Sequence, residues 1–264
     1  NLALTVISSG GFLIANDINE IFQSNFQIYV FSLSMLISFF GILLPYNILF
    51  LQRKNLQVFT EDYYLLLYFI FLVAIFFIFF NQNNNFSITL FSLISSISNI
   101  GFTFNNYSYN NFIFLILVII GGSLVSTSSG LRFLKIFLLT KFSLNELVSH
   151  SKPKHVLLNK VLFSKVKIDL NDINKYFFAV IIFILSLTLL ICLLTLLNFN
   201  FEDAFKLSIL TLMNTVNSNL YGLENVNFNE FTFLLKAILI IFMIIGRIEF
   251  ISILILIKKF VFKN

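Results

Sequence analysis

The chain has 264 residues, of which 58% are hydrophobic and only 11% charged, and its mean hydropathy is +0.94. Soluble domains carry about 25% charged residues, and the whole stretch Tyr63–Leu131 lacks Asp, Glu, Lys and Arg, which argues against a water-soluble enzyme and for a lipid-embedded chain. The net charge of +5 therefore bears first on membrane topology, not on nucleic acid. Only 9 Gly and 2 Pro occur, with no Trp and 37 Phe. We read this as AT-rich codon usage, so the Phe surplus is no sign of an aromatic binding surface, whereas each Gly becomes informative. Cys192 is the only cysteine, which leaves no disulfide and no cysteine metal cluster; within its apolar run it reads as a small buried hydrophobe. The sequence begins Asn-Leu-Ala-Leu without a charged leader, so no signal peptide is visible.

In chain order, the polar stretch Ser8-Ser9-Gly10-Gly11-Phe12 precedes a first apolar span, Phe26–Leu51. Four more spans follow, at Tyr63–Phe80, Phe112–Leu139, Tyr176–Leu197 and Phe231–Ile257. A hydrocarbon core of about 30 Å takes about 20 helical residues; the second span is short, and tilt or a kink absorbs the excess of the others. Two apolar stretches are too short to cross. Phe86–Ile97 makes about 18 Å of helix, and Phe201–Val216 is amphipathic, with Glu202, Asp203 and Lys206 at its start. Each follows a span, ends in a polar stretch (Ser98 to Thr103, Asn217 to Gly222) and precedes another span. That order outlines a re-entrant pore loop, since irregular backbone at membrane depth must line water or be buried in protein. The expected architecture is all-α and polytopic, with span–pore-helix–span repeats. Residues 1–54 form the second half of a repeat, 55–141 a full repeat with a broken last helix, 142–175 a basic link and 176–264 a final repeat.

Arg53 and Lys54, the lysines of the 142–175 link, and Lys258, Lys259 and Lys263 share one side if the spans alternate. Asp17, Glu20, Glu202, Asp203, Glu224 and Glu230 share the other, with Lys206 as the exception. The basic side is expected to be cytoplasmic, with the pore loops at the outer face. His150 and His155 have no partner at metal-ligand spacing and read as loop residues; nothing resembles a nucleophile–base pair, so no enzyme is expected.

A cation filter needs backbone carbonyls in place of the water shell, and Gly permits the required backbone angles. Gly11 and Gly101 each stand before a Phe that would anchor the loop; ordinary turns between helices are the alternative. The stretch Gly121-Gly122-Ser123-Leu124-Val125-Ser126-Thr127-Ser128-Ser129-Gly130 interrupts the third span. It suits a flexible gate beneath a filter, or else a close helix contact through small residues. Arg247 and Glu249 lie within the last span, two apart and so facing different partners. Arg247 reads either as a tethered cation in the pore or as a structural side chain that snorkels or pairs.

Together these residues resemble the membrane subunits of the Trk/Ktr/HKT potassium-uptake superfamily, most closely the TrkH type. Ser8 to Phe12 matches the second filter, Asn99-Ile100-Gly101-Phe102-Thr103 the third, Gly121 to Arg132 the intramembrane gating loop, and Gly246-Arg247-Ile248-Glu249 the Gly-Arg-Leu-Glu of the last helix. Where the family has Asn-Asn-x-Gly-Pro-Gly in its fourth filter, this chain has Asn217-Ser218-Asn219-Leu220-Tyr221-Gly222, with Leu220 at the filter Gly. Val125, Ser128 and Ser129 replace frequent glycines of the gating loop. The resemblance implies a filter from Ser9, Gly10, Gly11, Asn99, Ile100, Gly101, Asn219 and Leu220. It implies a gate including Gly121, Gly122, Ser126, Thr127 and Gly130, and Arg247 as a barrier below the filter. It further implies potassium as substrate, with sodium or proton coupling open, and no covalently bound cofactor. A dimer in the bacterial inner membrane and a TrkA-like cytoplasmic nucleotide-binding subunit on the basic face complete the picture. The family's pore has four repeats, so the chain is expected to be a piece of such a protein; a non-transporting remnant that packs with other chains is the rival reading.

Overall fold

A computed structural model describes residues 2–11, 18, 21–22, 24–40, 56–80, 86–104, 111–123, 126–151, 170–215, 219–223, 226, 228 and 231–247. Helix α1 (Leu2–Ile7) leads to α2 (Asn25–Phe40), and α3 (Leu56–Phe80), α4 (Phe86–Ile97) and α5 (Asn111–Ile119) follow. After a break come α6 (Phe133–Ser151), α7 (Leu170–Leu196), α8 (Phe201–Met213), a 3-10 turn at Asn219–Tyr221 and α9 (Phe233–Arg247). Among the described residues the fold is helical apart from a two-residue parallel ladder across the break, β1 (Ile120–Gly121) with β2 (Leu131–Arg132).

The two short helices form the core. In α4 nearly every side chain is buried, because the helix lies among α2, α3 and α5. A helix buried all round must hide its polar groups, and α4 does so on its own backbone: Ser92 Oγ donates to Ile88 O (3.0 Å) and Ser96 Oγ to Ser92 O (2.8 Å). Helix α8 repeats the device, with Ser208 Oγ donating to Ala204 O and Thr211 Oγ1 to Leu207 O, both at 2.6 Å. It lies among α5, α7 and α9. Thus each short helix packs against the helices immediately before and after it and against one earlier helix, α2 for α4 and α5 for α8. Glu202 and Asp203 in the first turn of α8 suit the positive end of its dipole.

The long helices turn apolar faces outward. Leu33 of α2, Phe71 of α3 and Leu185 of α7 are more than 60% exposed, a surface that water penalises by about 25 cal/mol per Å² and hydrocarbon does not. Among the described residues, Ile173–Leu196 of α7 is the helix long and apolar enough to cross a bilayer unaided; the apolar parts of α2 and α3 are shorter as described. The expected spans Phe26–Leu51 and Phe231–Ile257 run into 41–55 and 248–264, outside the described residues. Cys192 corrects an expectation: it is exposed, not buried. Helix α7 is apolar on every side and buries only some, so hydropathy alone could not tell which face Cys192 occupies.

Candidate ion pathway

Four of the described helices end in the same backbone device. After α1, α4, α7 and α8 the next turn is closed by a left-handed residue: Ser9 (φ 46°), Asn99 (φ 58°), Asn198 (φ 68°) and Asn214 (φ 52°). Each donates its N–H three residues back, Ser9 to Val6, Asn99 to Ser96, Asn198 to Thr195 and Asn214 to Thr211. The following N–H reaches five residues back, Gly10 to Thr5, Ile100 to Ser95, Phe199 to Leu194 and Thr215 to Leu210. This pattern satisfies helix-terminal carbonyls and stops the helix. Asn tolerates the left-handed region because its side chain bonds locally, so a Gly-poor sequence caps its helices with Asn and Ser. After α1 and α4 a true glycine comes two positions later, Gly11 (φ 65°) and Gly101 (φ 86°). After α8 that position is Val216, which lies outside the described residues.

The loop after α4 is sunk in protein. Ser98 to Phe104 are all buried, and Phe102, just after Gly101, stacks on Phe31 of α2 at 6.2 Å. Phe31 in turn stacks on Phe91 of α4, which meets Phe104 edge-on at 5.0 Å. These rings hold the chain directly after Gly101.

The broken helix folds out as a loop whose neck is the ladder, with Ile120 paired to Leu131 and Gly121 to Arg132. Phe133 N donates to Gly122 O (3.2 Å), restarting the helix. The neck has no room for side chains: a Cβ on Gly121 would strike the Ser129 carbonyl, and one on Gly122 the Phe39 carbonyl. Inside, Ser128 Oγ accepts from Gly122 N (2.8 Å) and lies 2.8 Å from Ser126 Oγ. Arg132 reaches back into the loop, its Nη1 between 2.9 and 3.1 Å from Ser123 O, Ser126 O, Ser126 Oγ and Ser128 O.

This loop meets three of the four capped helix ends, those of α1, α4 and α8. Ser9 Oγ is 2.8 Å from Thr127 O, Asn99 Nδ2 donates to Ser129 O at 2.8 Å, and a methyl on Gly130 (φ 97°) would come within 2.8 Å of Met213 Sδ. Arg247 closes the ring from the end of α9: Nη2 donates to Ser8 O (2.8 Å), and Nη1 lies 3.3 Å from Ser9 Oγ and 3.4 Å from Ser129 Oγ. The rest of Arg247 remains exposed. Gly246 brings it there, since α9 approaches α8 so closely that a Cβ would overlap the Leu212 carbonyl. Asn214 Nδ2, donating to Met243 O (2.9 Å), ties the α8 cap to the same helix.

The structure thus gathers Ser9, Asn99, Gly121, Gly122, Ser126, Thr127, Gly130 and Arg247 into one contact network, with Gly10, Gly11, Ile100 and Gly101 on the loops directly beyond Ser9 and Asn99. Leu220 stands apart. It is fully buried in the 3-10 turn with Tyr221, packed on α5; Asn219 opens that turn. Phe12, Leu124, Val125, Asn217, Ser218, Ile248, Glu249, the acidic residues 17, 20, 224 and 230 and most of the basic clusters lie outside the described residues. Sequence reasoning placed Arg132 and Ser128 in the gating-loop match without a contact of their own and passed over Asn214; an Asn straight after an amphipathic helix was the available signal for Asn214. At the start of α8, Lys206 Nζ bonds Glu202 Oε1 (2.5 Å) and Gly222 O (3.3 Å), and it holds the Glu202 carboxyl below the usual range.

No family model and no curated protein matches this sequence. Among solved structures, the chain is similar to the potassium transporter TrkH from Vibrio parahaemolyticus, with a TM-score of 0.78 over 96% of this chain at 22% identity. The chain spans 56% of the length of that transporter. At this identity the likeness establishes the fold: an all-helical arrangement of the kind seen in TrkH.

Proposed function

We propose that the chain forms part of a membrane pore for uptake of potassium or a similar monovalent cation. The observation that carries this reading is the convergence on one broken-helix loop of three capped short helices and one arginine. In this reading Gly11 and Gly101, with the backbone around Leu220, turn carbonyls toward the ion; the C-terminal ends of α4 and α8 favour a cation there. The loop from Gly121 to Gly130 blocks the path beneath them, and Arg247 adds a fixed positive charge at the same level. The outward apolar faces support a bilayer setting, with the basic segments on the cytoplasmic side of a bacterial inner membrane. The fold's likeness to TrkH supports the further expectations of a dimer, additional repeat sequence completing the pore, and a TrkA-like regulatory partner on the basic face.

Expression of the complete protein in a strain that lacks potassium uptake tests the reading. Growth at low external potassium is expected. No growth, with the protein present in the membrane, decides for the non-transporting rival.

A further inference from the structure

Arg132 is absorbed by none of the roles above, yet its guanidinium is the hub of the broken-helix loop. One nitrogen, Nη1, lies at 3.1 Å from Ser123 O, 3.1 Å from Ser126 O, 3.0 Å from Ser126 Oγ and 2.9 Å from Ser128 O. These groups stand on a buried loop, with Ser123, Ser126 and Ser128 all less than 7% exposed. Carbonyl oxygens facing one another in such a setting repel and lose hydration. A shared cationic donor reverses both effects through charge-assisted hydrogen bonds. The backbone of Arg132 is fixed at the neck by its ladder pairing with Gly121, so the loop is folded around a side chain whose root cannot drift.

We propose that Arg132 is a positioning residue that holds the broken-helix loop in its blocking shape from within; this rests on the proposed transport function. The division of labour with Arg247 follows from the partners. Arg247 comes from another helix and meets the loop at Ser129 Oγ, together with Ser8 O and Ser9 Oγ. Arg132 touches neither α1 nor α4 in any of these bonds and gathers the loop's own oxygens. Removing Arg132 therefore releases the loop's shape and leaves the filter loops with their caps intact. Flux rises while ion preference stays.

The test uses the full-length protein in inside-out membrane vesicles. Cys192 is the sole cysteine of these 264 residues, so Thr127→Cys in a background where Cys192 and any cysteine elsewhere in the protein are replaced by Ser leaves one thiol, on the loop. Labelling by a small cationic thiol reagent and rubidium flux are measured with Arg132, Arg132→Gln and Arg132→Lys. In Arg132→Gln both rates should rise severalfold with the potassium-to-sodium preference unchanged. Arg132→Lys should fall between, because an ammonium keeps the charge but not the planar fork. Labelling and flux at or below the Arg132 level overturn the proposal, as does a changed ion preference. Should Arg132→Gln not reach the membrane, labelling of Arg132→Lys no faster than the parent overturns it equally. Absent flux in every variant with faster labelling in Arg132→Gln refutes the transport reading and leaves the loop assignment standing.

Discussion

The loops that follow α4 and α8 start alike and end differently. Both helices stop at a left-handed Asn with the same pair of backbone bonds. After α4, Gly101 turns at φ 86° two residues later, and Phe102 locks the chain into an aromatic stack. After α8 the corresponding position is Val216, and further along Leu220 and Tyr221 are fully buried. The two Asn side chains also diverge. Asn99 bonds the broken-helix loop, whereas Asn214 bonds α9, the helix that carries Arg247. The lesson is that helix termination and the glycine turn are separate devices: the first closes α1, α4, α7 and α8, while the second is seen where a Gly stands two residues after the cap.

The largest effect that separates the two loops is expected at Leu220. If it is a packing residue, Leu220→Ala opens a cavity in the core and costs about 2–5 kcal/mol, read as a lower melting temperature in detergent. A filter position would instead tolerate the smaller residue, and unchanged stability with altered ion preference breaks the distinction drawn above. Next comes Gly101→Ala, which forces a Cβ into the left-handed region at a cost of about 1–3 kcal/mol. If that strain is borne by the conducting state, rubidium flux falls by roughly tenfold to hundredfold, with melting little changed relative to Leu220→Ala. A parallel loss of fold stability and flux would make Gly101 a structural turn only.

A smaller effect separates the two Asn side chains. Asn99→Gly keeps the left-handed backbone and removes one neutral hydrogen bond, worth about 0.5–1.5 kcal/mol. Because that bond goes to Ser129 O, the variant should conduct faster, while Asn214→Gly should not; equal behaviour merges the two loops again. The smallest effect concerns Glu202 and pH. Lys206 lowers its folded pKa, so the pair's contribution to stability is complete above the ordinary carboxylate range. It is lost as pH falls through the lowered value. The pair is an exposed i,i+4 contact of modest worth, so Glu202→Gln should slightly flatten the acid limb of a melting-temperature series. An identical acid limb in the variant shows that Lys206 acts through Gly222 alone.

The sequence made some of this legible. The bounds of α4, Phe86–Ile97, follow from an apolar run closed by Asn and preceded by a polar stretch; the helix is local, so local pattern suffices. The broken third span was legible for the same reason, since Gly and Ser weaken a helix wherever they stand. The α8 helix stops at Met213, three residues short of the expected Val216, because a left-handed Asn214 is a stop that hydropathy does not register. Whether Leu220 faces a pore or a core depends on α5, far away in sequence. The hub role of Arg132 depends on the chain folding back through a parallel ladder, which two-residue strands announce by no periodicity.

That ladder has a mechanical consequence. With Ile120 held to Leu131 and Gly121 to Arg132, the ends of the loop are already joined, so its excursions cost little further closure entropy and leave α5 and α6 in place. The wall of the bundle and the loop are thereby separated: a displacement of the loop pivots on the two-residue neck and need not shift the helices on either side of it.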